Sequence, residues 1–286
     1  MSENLHIPVL KRIAEALERM SPPPPKEQIL TKSDAYVWSP EENRLRAVPK
    51  VAGVELDLLV GIANTRDILL KNTHQFASGF PANNALLWGA RGMGKSSLVK
   101  AVHTRVNGAT KDRLILVEIH REDVITLPRL LARLSNQQGR FILFCDDLSF
   151  EHADSSYKPL KALLEGSVEE RPKNIIFYAT SNRRHLMSRE IMENEAESAI
   201  NPNEVVEEKV SLSDRFGIWL GFYTCTQNEY LEMIEKYANF YNLTGTQDEL
   251  RAAALKWATT RGARSGRVAW QFIQDLAGQQ HTTLGE

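Results

Sequence analysis

Residues 89–96 read Gly-Ala-Arg-Gly-Met-Gly-Lys-Ser, a spacing of residue types that can hold phosphate. Glycines at 89, 92 and 94 let the backbone take positive φ and turn successive amides inward. Together with the start of a following helix, those amides make a cradle for an anion. Lys95 would bridge the β- and γ-phosphates of a nucleotide, and the Ser96 hydroxyl would ligate magnesium. The nucleotide-binding set is therefore Gly89, Ala90, Arg91, Gly92, Met93, Gly94, Lys95, Ser96 and Ser97. Its flanks have the required form. The apolar run Ala85–Trp88 predicts a buried strand, while Leu98, Val99, Val102 and Val106 have helical spacing that stops at Asn107-Gly108.

A phosphate loop also needs a carboxylate. The run Phe141–Cys145 predicts a buried strand ending in Asp146-Asp147. At the tip of a parallel strand these acids sit on the ligand edge of a sheet. Asp146 would hold magnesium through water, and Asp147 would act as general base on the attacking water. The next apolar run, Asn174–Ala179, ends in Thr180-Ser181-Asn182. Asn182 would orient the attacking water, donating and accepting at once, or would simply cap the following segment. Residue types and positions thus single out Lys95, Asp147 and Asn182 as catalytic, and Ser96 and Asp146 as metal ligands.

The elements that must position these groups alternate. Strand-like runs at 85–88, 113–119, 141–145, 174–180 and 218–223 are separated by helical patterns at 62–76, 95–106, 127–135 and 158–170. This alternation predicts an α/β fold: a three-layer αβα parallel sheet followed by a small helical lid domain. After residue 224 the pattern is helical only. Thr226 with Glu229 and Thr246 with Glu249 predict capping boxes. Leu250, Ala253, Ala254 and Trp257 form one apolar stripe, and Val268, Phe272 and Leu276 another.

The N-terminal part differs. Residues 4–20 predict an amphipathic helix, with Leu10, Ile13, Ala14 and Leu17 on one face that docks either on the body or on a partner. Pro22–Pro25 then predict a stiff spacer. The expected organisation is an N-terminal helix (1–21), a Pro-rich linker and extended segment (22–50) anchored by Tyr36 and Trp38, a nucleotide-binding domain (51–224) and a helical lid (225–286). The Glu-rich tract 190–208 reads as a solvated face.

Composition narrows the function class. Of 286 residues 42% are hydrophobic and 25% charged, with net charge −1, so bulk charge gives no support to nucleic-acid binding. Two cysteines, Cys145 and Cys225, are too few and too far apart for a disulfide framework or a zinc site. No run approaches the roughly 18 apolar residues of a membrane helix. The N-terminus lacks the apolar core of a signal peptide. The expectation is a cytoplasmic protein with no membrane partner.

In the order of these features the chain resembles the AAA+ ATPase superfamily over roughly residues 52–280. Residues 89–96 match its Walker A motif, 141–147 its Walker B motif and Asn182 its sensor 1. Ser211-Leu-Ser-Asp-Arg215-Phe216 is similar to its arginine-finger region, and Gly262-Ala-Arg264 to its sensor 2. The stretches Asn83–Gly92 and Ala179–His185 resemble a bacterial branch of predicted ATPases of unknown function. The resemblance implies ATP and Mg2+ as cofactors and a homo-oligomer in which Arg215 reaches a neighbour's nucleotide. It implies Arg264, or else the evenly spaced Arg267, on the phosphates in cis. It also implies Val60, Gly61 and Ile62 against adenine. Two departures stand out. Asp147 replaces the Glu of many members, and His120–Thr126 lacks the aromatic and Gly found there in protein-threading machines. The expected function is ATP hydrolysis to ADP and phosphate, driving an oligomeric switch or remodeller whose client, protein or nucleic acid, the sequence leaves open. The alternatives are an ATP-gated loader or adaptor with little turnover and, further off, a P-loop kinase. A GTPase is disfavoured, since no Asn-Lys-x-Asp element follows the loop.

Overall fold

A computed structural model describes residues 6–20, 30, 33–109, 113–150, 157–165, 172–186 and 212–284. The tetraproline and the Glu-rich tract 190–208 lie outside the described residues. The described elements are α1 (His6–Met20), β1 (Ala35–Ser39), β2 (Arg44–Val48), α2 (Ala63–Ala77), β3 (Ala85–Gly89), α3 (Lys95–Asn107), β4 (Leu114–Glu118), α4 (Leu127–Ser135), β5 (Arg140–Cys145), α5 (Tyr157–Glu165), β6 (Ile175–Ser181), β7 (Ile218–Phe222), α6 (Gln227–Phe240), α7 (Gln247–Arg261) and α8 (Gly266–Gln279).

The strands form one seven-stranded sheet in the order β2-β1-β4-β5-β6-β3-β7. All neighbours are parallel except the antiparallel hairpin β1–β2. Side chains alternate across a strand, so each strand feeds two cores. On β5, Ile142 and Phe144 enter the core beneath α2, α3 and the C-terminal helices, whereas Phe141, Leu143 and Cys145 enter the opposite core beneath α4 and α5. On β6 the same alternation sends Ile176 and Tyr178 one way and Ile175, Phe177 and Ala179 the other. This double burial is why the strands read as continuous apolar runs.

The five strands expected from the sequence are present, and the fold is mixed α/β with C-terminal helices. The sheet also extends further toward the N-terminus than the sequence pattern predicts. Residues 35–48, expected as an extended segment outside the nucleotide-binding body, form the hairpin β1–β2, and β1 pairs with β4 through Ala35–Leu116 and Val37–Glu118. Tyr36 and Trp38 are buried there, and the Trp38 indole donates to Thr126 Oγ1 at 2.8 Å. That bond ties the hairpin to the 3-10 turn Arg121–Thr126, the segment that lacks an aromatic and Gly. Helix α5 is described to Glu165, and the rest of its expected span lies outside the described residues.

The C-terminal helices carry both expected capping boxes. Their packing stripe on α7 is Leu250, Ala254 and Ala258, with Ala253 turned to solvent. On α8 the buried face is Val268, Ala269, Phe272, Ile273 and Ala277. Helix α1 keeps Val9, Leu10, Ile13 and Leu17 exposed.

Candidate nucleotide site

β3 runs into the loop 90–94 and α3 begins at Lys95, so the loop amides lie at a helix N-terminus. Gly89, Gly92 and Gly94 all have positive φ (123°, 74° and 88°). At Gly89 the need for glycine is steric as well, because a Cβ would stand 2.0 Å from the Phe222 carbonyl oxygen of β7. The Ala90 amide donates to that same oxygen at 2.8 Å, which fixes the loop's exit from the sheet.

Lys95 is buried and folds back over its own loop. Its ammonium donates to the Gly89 and Ala90 carbonyls, both at 2.9 Å, and to Asn182 Oδ1 at 3.1 Å. Burial pushes its pKa down, Asp146 and Asp147 oppose that shift, and Arg91 and Arg267 add to it. The Ser96 hydroxyl donates to Asp146 Oδ1 at 2.5 Å. Asn182 Nδ2 donates to Asp147 Oδ1 at 2.5 Å. Asn182 therefore joins Lys95 to Asp147, accepting from one and donating to the other. The tips of β3, β5 and β6 thus bring Lys95, Ser96, Asp146, Asp147 and Asn182 to one point.

These groups line a cavity of about 650 Å³. The same cavity is lined by apolar and aromatic side chains, Val54, Leu58 and Ile62 from the segment between β2 and β3 and Met233, Tyr237 and Trp270 of the C-terminal helices. Polar and charged groups together with apolar and aromatic ones suit a molecule with a charged tail and a flat base. Val60 and Ile62 line this cavity. Gly61 is not among the residues that line it, and its Cα faces Glu229.

The two candidate lid arginines are placed differently. Arg267 lines the cavity, and its backbone amide donates to the Gly92 carbonyl at 3.0 Å. Arg264 is exposed and donates to Gln227 Oε1 at 3.0 Å, outside the cavity lining. Arg264 precedes the N-cap Ser265 and so lies outside α8, whereas Arg267 is the second residue of its first turn, directly over the loop. Arg215 also lies outside the cavity lining, in an ion pair with Glu165 of α5. Both cysteines are free thiols, Cys145 buried and Cys225 partly buried.

The residues fit a magnesium nucleotide by their donor chemistry. The carbonyls that hold Lys95 are acceptors whose place phosphate oxygens would take. Ser96 and Asp146 offer hard oxygens side by side, as magnesium prefers. Among the described residues no group of three or more His, Cys, Asp or Glu could hold a metal alone, so phosphate and water would complete such a site.

Sequence reasoning missed Thr180, Met233, Tyr237 and Trp270. Thr180 was legible in principle, since period two puts it on the face of Ile176 and Tyr178, above α3. The other three belong to the cavity only because the C-terminal helices fold back over the loop.

Residues 31–280 match the family model described as protein of unknown function DUF815. The chain belongs to that family. No curated protein matches it in sequence. Among solved structures it is similar to Aeropyrum pernix ORC1 in complex with DNA, at 14% identity over 80% of this chain and 62% of that one, with TM-score 0.55. It is also similar to the Thermotoga maritima RuvB Holliday junction branch migration motor, at 16% identity over 77% and 71%, with TM-score 0.45. At these identities the likeness is one of fold alone, carried by the ORC1 structure, and it agrees with the AAA+-like architecture expected from the sequence. Among the described residues no helix is long and apolar enough to cross a membrane.

Proposed function

We propose that this DUF815 chain binds ATP with magnesium and hydrolyses it, using turnover to switch or remodel a client as part of a homo-oligomer. The observation that carries the reading is the meeting of Lys95, Ser96, Asp146, Asp147 and Asn182 in a single cavity, which Arg267 of the C-terminal helices also lines.

Each residue has a task. The loop amides and Lys95 hold the phosphates, and Lys95 leaves the Gly89 and Ala90 carbonyls to do so. Ser96 and Asp146 would hold magnesium, which when bound neutralises charge across the phosphates. Asp147 accepts a proton from the attacking water, and Asn182 orients that water. Arg267 follows the phosphates from the lid, so closure of the C-terminal helices tracks the nucleotide. Arg215 is proposed to act across a subunit boundary, exchanging Glu165 for a neighbour's phosphate. The client, protein or nucleic acid, stays open.

The test is nucleotide binding by calorimetry together with phosphate release. Lys95→Ala should abolish ATP binding. Asp147→Asn should keep binding while slowing release by roughly 10²–10⁴-fold, as expected for loss of a general base. Wild-type protein that binds no ATP in the presence of magnesium would overturn the reading.

A second reading, an ATP-gated binding module with little turnover, is favoured by the exposed stripe Val9, Leu10, Ile13 and Leu17 on α1, which is suited to a partner. Partner binding that needs ATP and survives Asp147→Asn would favour it over the first.

A further inference from the structure

Thr180 is the penultimate residue of β6 and is buried. Its hydroxyl has one proton to give and two lone pairs. It gives the proton to Asp146 Oδ1 and accepts the Asp147 backbone N–H at 2.9 Å. The Thr180 carbonyl accepts the next amide, from Leu148, at 2.7 Å. One residue of β6 therefore clamps three consecutive residues at the tip of β5.

We infer that Thr180 is a positioning residue for both acids, acting through its hydroxyl. This rests on the reading of the cavity as an ATP-hydrolysing site.

The consequences differ for the two acids. Asp146 Oδ1 takes two donors, Ser96 Oγ and Thr180 Oγ1, and among the described residues no donor lies on Oδ2. Two donors on one oxygen fix the rotation of the carboxylate and leave the other oxygen for water or metal. Asp147 is held by Thr180 at its amide, while its carboxylate is held by Asn182. Its backbone sits at φ 52°, a conformation that non-glycine residues seldom adopt, and the bond to Thr180 is one of the contacts that keep it there. That turn aims the Asp147 side chain at Asn182. The β-branched methyl of Thr180 suits a buried strand, but only the hydroxyl makes these contacts.

The test compares Thr180→Val, which keeps shape and loses the hydroxyl, with Thr180→Ser, which keeps the hydroxyl. Three quantities are read. The first is Mn2+ affinity by paramagnetic resonance in the presence of ADP, where no turnover occurs. The second is the separate kcat and KM of phosphate release. The third is amide exchange at Asp147 and Leu148 without nucleotide. Thr180→Val should weaken Mn2+ binding by about 10- to 100-fold, the range for loss of a partner behind a metal ligand. It should lower kcat by a comparable factor with little change in KM. It should also speed exchange of the Asp147 amide at least about tenfold while sparing Leu148, whose bond is to backbone. Thr180→Ser should stay within about twofold of wild type in all three.

A folded Thr180→Val variant with unchanged Mn2+ affinity and unchanged Asp147 exchange would overturn the inference. So would Thr180→Ser falling as far as Thr180→Val, which would assign the effect to packing. If Thr180→Val does not melt cooperatively, Thr180→Ala is scored by the same criteria. If wild type binds neither ADP nor Mn2+, the ATPase reading fails, and the exchange arm still decides whether the Thr180 hydroxyl holds the turn.

Discussion

Gly92 is where the phosphate loop touches the C-terminal helices, and substituting it should cost more than backbone strain. A Cβ there would stand 3.0 Å from Ser265 Oγ, 3.1 Å from Arg267 Cβ and 3.3 Å from Ser265 Cβ. Ser265 caps α8 by accepting the Val268 amide, and the Arg267 amide donates to the Gly92 carbonyl. Gly92→Ala therefore pushes on the cap and on the bond beside it. Gly262 is the control. It has similar backbone, φ 65° against 74°, but nothing lies within 4 Å of its added Cβ. An alanine at positive φ costs about 1 kcal/mol at either site. Crowding at Gly92 adds about 1–2 kcal/mol. At about 2–4 °C per kcal/mol for a protein of this size, Gly262→Ala should lower the melting temperature by about 2–4 °C and Gly92→Ala by about 4–12 °C, two to three times as much. Scanning calorimetry of the nucleotide-free protein reads both. ADP titration should show weakened binding for Gly92→Ala alone. Equal melting temperatures for the two variants would refute the claim that the loop and α8 are packed together in the absence of nucleotide.

His103 of α3 is buried, its Nε2–H donating to the Leu114 carbonyl at 2.9 Å while Nδ1 has no partner among the described residues. Burial lowers its pKa, so at acid pH the unfolded chain binds a proton that the folded protein resists. Stability should fall as pH drops below about 6.5, by up to about 1.4 kcal/mol per pH unit, and His103→Gln should flatten that slope in melts run from pH 7 to pH 5. The lid arginines should separate by position. Arg267→Ala should weaken ATP binding about tenfold or more, whereas Arg264→Ala should change it less than twofold. The reverse order in a titration would assign the lid role to Arg264.

The sheet was legible because parallel strands buried on both faces read as apolar runs, and Gly89–Ser96 was legible because its physics needs glycine at fixed spacing. Asp146 and Asp147 followed from the end of one such run. The hairpin was not legible. Arg44–Val48 has a single buried residue, Leu45, so its edge position leaves almost no pattern in the sequence. Arg264 and Arg267 could not be told apart because their difference depends on where α8 begins: Arg264 falls before the cap Ser265 and Arg267 in the first turn, over Gly92. Met233, Tyr237 and Trp270 carry no local signal either, since their place in the cavity depends on how the C-terminal helices return to the sheet.

The hairpin β1–β2 also decides how the protein can be cut. β4 is Leu-Ile-Leu-Val-Glu with its first four residues buried, and β1 covers its outer edge. β2, the strand that ends the sheet on that side, instead presents Arg44 and Arg46 to solvent. Exposed charge on a terminal strand discourages pairing with another molecule, whereas a bare apolar strand invites it. A fragment begun at residue 51, where the sequence pattern suggests the nucleotide-binding body starts, would strip both strands and leave β4 as an open edge, apolar except for Glu118 at its end. Such a fragment should aggregate, while one begun at residue 30 keeps the arginine-bearing border and stays dispersed.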